Sequence, residues 1–124
     1  IHIFNNKEHS YPYEIRGDSD WMSKYFFTGG IMPSADIFDF FNDDFSVSKY
    51  WKVNGKHYAK TCRHWLQNHY ANKRKIINLF DAHYDDANKW YQRWRLFFLA
   101  CEMLFAHDQG NEWFVSHYLL EQNK

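Results

Sequence analysis

The chain has 124 residues, 45% of them hydrophobic and 24% charged, a balance that fits one modest folded domain and excludes a disordered chain. Fifteen Lys and Arg offset fifteen Asp and Glu, so the formal net charge is zero and the usual electrostatic basis for nucleic-acid binding is absent. The outlier is aromatic content: 12 Phe, 9 Tyr and 6 Trp make up 22% of the chain, enough rings to build a core or line an apolar pocket.

Taken in chain order, Ile1 to Phe4 is short and apolar and reads as a buried strand ended by Asn5-Asn6. With no initiator Met and no charged leader, this start reads as the interior of a longer protein, entered at a strand. Residues 5 to 18 are polar, contain Pro12 and Gly17, and read as a loop. Asp18 or Ser19 is placed to cap a short helix carrying Trp21, Met22, Tyr25 and Phe26, which Gly29-Gly30 stops. Pro33-Ser34 predicts a second helix over Ile37, Phe38, Phe40 and Phe41, ended by Asn42-Asp43-Asp44.

Phe45 to Val53 alternates and is rich in β-branched and aromatic residues, which predicts a half-buried strand closed by Asn54-Gly55. A helix over 57–80 follows, with Tyr58, Thr61 or Cys62, Trp65, Leu66 and Tyr70 on one side. A second long helix runs from about Asp86 to His107. Its stripe of Trp90, Trp94, Phe97, Cys101, Leu104 and Phe105, with Leu96, Leu99 and Met103 opposite, predicts burial nearly all round. Gly110 stops it, and Glu112 to Leu120 is the last strand. Three strands with long connections and open edges describe part of a sheet, half of a fold.

Chemistry-bearing motifs are sparse. Cys62 and Cys101 stand far apart with no CxxC spacing, which argues against a disulfide framework and for reduced thiols in the cytoplasm. His57 and His64 share a helical face but have no third ligand at suitable spacing, so the eight histidines give no metal site. GxSxG, GxGxxG and GxxxxGK are absent. Lys73-Arg74-Lys75 is either a solvated face or a small contact for anionic lipid headgroups at a membrane surface. The aromatic stripe likewise has two readings: core packing, or rings facing a cavity that holds a cationic or flat ligand.

The order of motifs is more specific than any one of them. The strings IHIF, DWMSKYFFTGGIMPSADIF, WKVNGKHYAKT, WYQRWRLFFLACEMLF and EWFVSHYL resemble, over essentially all of residues 1–124, the C-terminal part of the cyclopropane-fatty-acid-synthase-like methyltransferases. Within them the chain is similar to the coclaurine N-methyltransferase-like branch. The resemblance implies an α/β chain that forms part of a class I Rossmann-like fold, its last three strands plus the helical cover over the substrate. It implies S-adenosylmethionine as cofactor, bound mainly by an N-terminal half that this sequence lacks, together with a Glu-x-x-Glu-His segment also lacking here.

By motif position, His2 and Tyr58 match residues that hold a bicarbonate base in the cyclopropane synthases. Phe27, Trp94 and Phe97 match pocket-lining aromatics of the alkaloid N-methyltransferases. The implied activity is methyl transfer to a small amine. The alternatives are methyl or methylene transfer to unsaturated acyl chains of phospholipids, with bicarbonate as base, or a non-catalytic piece acting structurally. Thr28 and Met32 stand where the lipid-modifying enzymes usually carry Pro and Leu, which favours the amine branch.

Overall fold

The computed structural model describes residues 1–123, and its last strand is the central one. β1 (His2–Asn6), β4 (Phe45–Val53) and β5 (Trp113–Gln122) form a three-stranded sheet in the order β1-β5-β4. Both pairings are antiparallel, with His2 opposite His117 at one end of β1 and Asn6 opposite Trp113 at the other. On the other side of β5, Phe45 lies opposite Gln122 and Val53 opposite Val115, with a register shift between Val47 and Lys49. A central strand is covered on both faces, which is why WFVSHYL is apolar almost without alternation. Phe114, Val115, Ser116 and Tyr118 are all buried.

Strand β4 was expected to be half-buried. It forms an outer edge, and Phe45, Tyr50 and Trp51 are exposed, because no described element packs beyond it. Between β1 and β4 the chain adds a small two-stranded ladder, β2 (Tyr11–Pro12) inside the stretch 5–18 read as loop, paired with β3 (Ile31–Met32) just after the Gly29-Gly30 stop. Two-residue strands leave no periodicity to read. Helix α1 (Trp21–Tyr25) is present, but neither Asp18 nor Ser19 caps it. Asp20 precedes it, and its carboxylate accepts instead from the Arg16 and Gly17 amides at 2.8 and 3.0 Å.

The helix predicted from Pro33-Ser34 shrinks to a single 3-10 turn, Ile37–Phe40. The Pro33 carbonyl accepts from Asn6 N–H at 2.9 Å and Ser34 bridges to Asn6, so the start of this segment is held extended against β1. The helix predicted over 57–80 is two helices, α2 (Gly55–Ala71) and α3 (Lys73–Asp81). They part at Asn72, whose backbone and side-chain N–H groups both donate to the Asn68 carbonyl.

Helix α4 (Ala87–Ala106) packs along α2 and against the sheet, followed by a 3-10 turn at His107–Gly110. It is not buried all round: Leu96 and Met103 are 47% and 73% exposed, because only one side of α4 meets another layer. Ala59 and Cys62 of α2 meet Cys101 and Phe105 of α4 in the core, with Phe4, Met22, Tyr58, Phe97 and Trp113 packed around them. The Asn54-Gly55 pair does more than close a strand. Asn54 Oδ1 caps α2 by accepting from Lys56 N–H at 2.9 Å, and a Cβ on Gly55 would run into the Trp113 and Phe105 carbonyls.

Candidate functional site

The site begins with the sequence YFFTGG. Helix α1 ends there because the Thr28 hydroxyl donates to the carbonyls of Ser23 and Lys24, both at 3.0 Å. Gly29 then takes φ +74°, which a side chain disfavours, and Gly30 N–H closes the turn onto the Phe27 carbonyl at 2.9 Å. The turn aims Phe27 inward. Tyr13 stacks on it, ring centroids 4.8 Å apart and 16° from parallel, and Gly30 leaves the room that the Tyr13 ring occupies.

Six elements and their flanks close a cavity of about 150 Å3 around these rings. Phe4 enters from β1, Tyr58 from α2, and Phe97, Cys101, Leu104 and Phe105 from α4; Tyr11, Met22 and Met32 complete the wall. The rings meet mostly edge to face: Tyr58 on Phe105 at 4.6 Å and 88°, Phe4 on Phe105 at 6.3 Å and 79°. Phe26 stacks on Phe97 at 4.3 Å and fixes it from behind.

Among the described residues no charged side chain lines the cavity. Tyr58, Tyr13 and Cys101 are held neutral. Burial pushes the Tyr58 hydroxyl up to about 12 and raises that of Tyr13. The Cys101 thiol is pushed up by its hydrogen bond with Cys62 and by burial. Around neutral pH the wall therefore offers aromatic faces, two thioethers and protonated hydroxyls. It can hold an apolar or aromatic body and tolerate a cation on ring faces, but it has no base of its own.

The structure brings together three of the five residues expected from sequence: Phe27, Tyr58 and Phe97. Trp94 stands one ring back, against Phe26 at 5.0 Å and Phe97 at 5.6 Å, and its buried Nε1 has no hydrogen-bond partner among the described residues. His2 does not line the cavity either. It sits at the start of β1, where Tyr118 N–H donates to the Ile1 carbonyl and leaves His2 and His117 as the neighbouring pair without backbone hydrogen bonds. Their rings meet there, His2 Nδ1 to His117 Nε2 at 2.8 Å.

The residue of β1 that faces Tyr58 across the cavity is Phe4, two positions along the same strand face from His2. A bicarbonate would find hydroxyls and a thiol there but no cation, so the residues present do not fit that anion. Sequence reasoning missed Phe4, Tyr13, Cys101, Phe105 and His117 as members of these sites. Phe105 and Cys101 were visible as continuations of the Phe97 stripe, and Phe4 by strand alternation. Tyr13 left no signal, because it lies in a loop.

The fold is an α/β scaffold with an aromatic cavity beneath its helices, and over nearly its whole length it matches part of a methyltransferase structure. The chain belongs to the mycolic acid cyclopropane synthetase family, whose profile matches residues 1–114. It is 34% identical over 123 residues to (S)-coclaurine N-methyltransferase of Thalictrum flavum subsp. glaucum, covering 94% of this chain and 34% of that protein. Pavine N-methyltransferase of the same plant is 30% identical over 122 residues, covering 94% of this chain and 34% of its own length. The crystal structure of a coclaurine N-methyltransferase bound to N-methylheliamine and SAH superposes with a TM-score of 0.82 at 35% identity. That match covers 98% of this chain and 37% of the crystallised one. The chain spans about a third of the length of the curated relatives it matches.

Proposed function

We propose that the protein carrying this chain transfers a methyl group from S-adenosylmethionine to the nitrogen of a small amine, and that residues 1–124 supply the wall facing that amine. The cofactor-binding half belongs, in this reading, to residues outside the chain. The observation that carries the proposal is the uncharged aromatic cavity. Similarity to N-methyltransferases across nearly the whole chain supports it.

The cofactor would supply an electrophilic methyl group on a sulfonium. The lining suits that end of it: the faces of Tyr13, Phe27 and Phe97 favour a cation, and no lysine or arginine is there to repel one. The same residues act on the amine. Only a neutral nitrogen has a lone pair to give, and the wall has no carboxylate to hold the protonated form as an ion pair. Enclosure excludes water and aligns the nitrogen, and the rings then tolerate the cationic product.

The Tyr58 and Tyr13 hydroxyls, both raised, can hold a hydrogen bond but cannot accept a proton permanently at neutral pH. We therefore assign the proton acceptor to a group outside this wall. Transfer to phospholipid acyl chains is less favoured, because the anion it was expected to use has no cationic partner here.

The test is direct. Full-length protein is incubated with methyl-labelled S-adenosylmethionine, a panel of small aromatic and aliphatic amines, and vesicles of unsaturated phospholipid. Label on amine nitrogen is the expected result. Label appearing only in the lipid overturns the proposal.

A further inference from the structure

A second aromatic recess lies on the opposite face of the sheet, away from the cavity. It is a groove of about 330 Å3 lined by Ala35, Asp36, Phe38, Asp39, Tyr50 and Tyr118, with Val47 at its margin. Tyr118 is its floor, buried and fixed by two hydrogen bonds from its hydroxyl, to the Ala35 carbonyl at 2.7 Å and to Asn5 Oδ1 at 3.3 Å. Phe38 stands edge-on to it at 4.9 Å and 72°, and Tyr50 leans over it at 5.2 Å and 48°. Tyr50 is itself anchored, its hydroxyl 3.1 Å from Ser116 Oγ. Two of the three rings, Tyr118 and Tyr50, are thus held in place around one recess by hydrogen bonds of their hydroxyls.

What separates this groove from the cavity is charge. Asp36 and Asp39 stand at its rim on the 3-10 turn, and neither forms an ion pair among the described residues. Burial raises the Tyr118 hydroxyl, with a smaller contribution from Tyr50 and the smallest from Asp39. Among the described residues, the cationic side chain seated on a ring of this face is Lys52, next but one to Tyr50 on β4. Its Nζ lies 4.0 Å over the Phe114 ring, so the face already holds one ammonium by this interaction.

Ring faces that converge beside unpaired carboxylates recognise one chemistry, an organic ammonium, because both attract positive charge while the rings also bury its methyl groups. We propose that the Phe38–Tyr50–Tyr118 groove, with Asp36 and Asp39, is a binding site for an alkylammonium cation, separate from the cavity in which a neutral amine is read. The two recesses divide amine chemistry between them: charged on the acidic face, neutral in the uncharged cavity. The groove does not depend on methyl transfer, so the two readings fail independently.

The test uses choline and its uncharged shape analogue 3,3-dimethylbutanol, titrated by calorimetry into the full-length protein at low ionic strength. Choline is expected to bind about tenfold more tightly than the neutral analogue, with the preference reduced by added salt. The double variant Asp36→Asn/Asp39→Asn should abolish the preference while leaving the melting temperature and amine methylation unchanged. Tyr50→Leu should weaken choline about fivefold, and Tyr50→Phe should retain it, since the ring face is what counts. Equal binding of the two probes overturns the proposal. So does choline affinity that survives the double Asn variant, or that is lost only when Phe97 in the cavity is changed.

Discussion

His69 and Tyr91 fasten α2 to α4 by exchanging hydrogen bonds. His69 Nε2–H donates to the Tyr91 carbonyl at 3.0 Å, the Tyr91 hydroxyl donates to the His69 carbonyl at 3.3 Å, and the rings stack at 4.0 Å and 16°. The pair stands near the far ends of the two helices whose other ends carry Tyr58, Cys101 and Phe105. It holds constant the spacing that the cavity needs.

Removing the hydroxyl with Tyr91→Phe keeps the stack and loses one hydrogen bond, leaving a buried carbonyl short of a partner. The expected cost is about 1 kcal/mol, read as a lower denaturation midpoint at unchanged slope. A variant as stable as the parent would show that stacking alone fastens the helices.

The same pair makes stability depend on pH. Burial holds His69 below its ordinary value, with its hydrogen bond to the Tyr91 carbonyl opposing in part. The folded state therefore binds fewer protons than the unfolded one in the window just below the ordinary histidine range. The stabilisation is complete above about pH 6.5 and is lost progressively as the pH falls through that window towards the lowered folded value. Thermal melts between pH 7.5 and 5 should show a decline that His69→Gln flattens. An identical decline in the variant assigns it to the other histidines.

Gly55→Ala is expected to cost more than about 3 kcal/mol, because its methyl group would collide with two backbone carbonyls, which cannot swing aside. Gly17→Ala, where a Cβ meets nothing within 4 Å, serves as the control and should be nearly neutral. Comparable melting temperatures for the two variants would contradict the packing of α2 against the start of β5.

In the cavity, Phe97→Leu should raise KM for the amine about tenfold through lost ring contact, with a smaller effect on kcat. Trp94→Phe, one ring back, should change KM less than threefold. The reverse order would move the amine site towards Trp94, with its unpartnered indole N–H.

Residues 1–124 made alone should self-associate and bind a hydrophobic dye. Phe40, Phe41 and Met103 are each more than 70% exposed, and β1 and β4 both present open edges. At about 25 cal/mol per Å2, a few hundred Å2 of apolar surface left in water forfeits several kcal/mol. A monomeric fragment with a sharp melting transition would show that the region is an autonomous domain.

Elements encoded by local pattern were legible in the residues alone. The alternation of β4, the apolar run of β5, the 3.6-residue stripe of α4 and the glycine stop after Phe27 each act over a few neighbouring residues. Motif order also marked Phe27, Tyr58 and Phe97, three residues that meet in one cavity.

Which neighbours each element found depends on long-range packing. Central placement of β5 leaves β4 at an edge, and a missing second layer leaves one side of α4 in water. Tying Pro33 and Ser34 to β1 turns a predicted helix into a single 3-10 turn. Cross-strand register puts His2 against His117 and gives the place beside Tyr58 to Phe4. These outcomes rest on contacts between residues 27 to 115 positions apart, and a reading of local periodicity has no access to pairings at that distance.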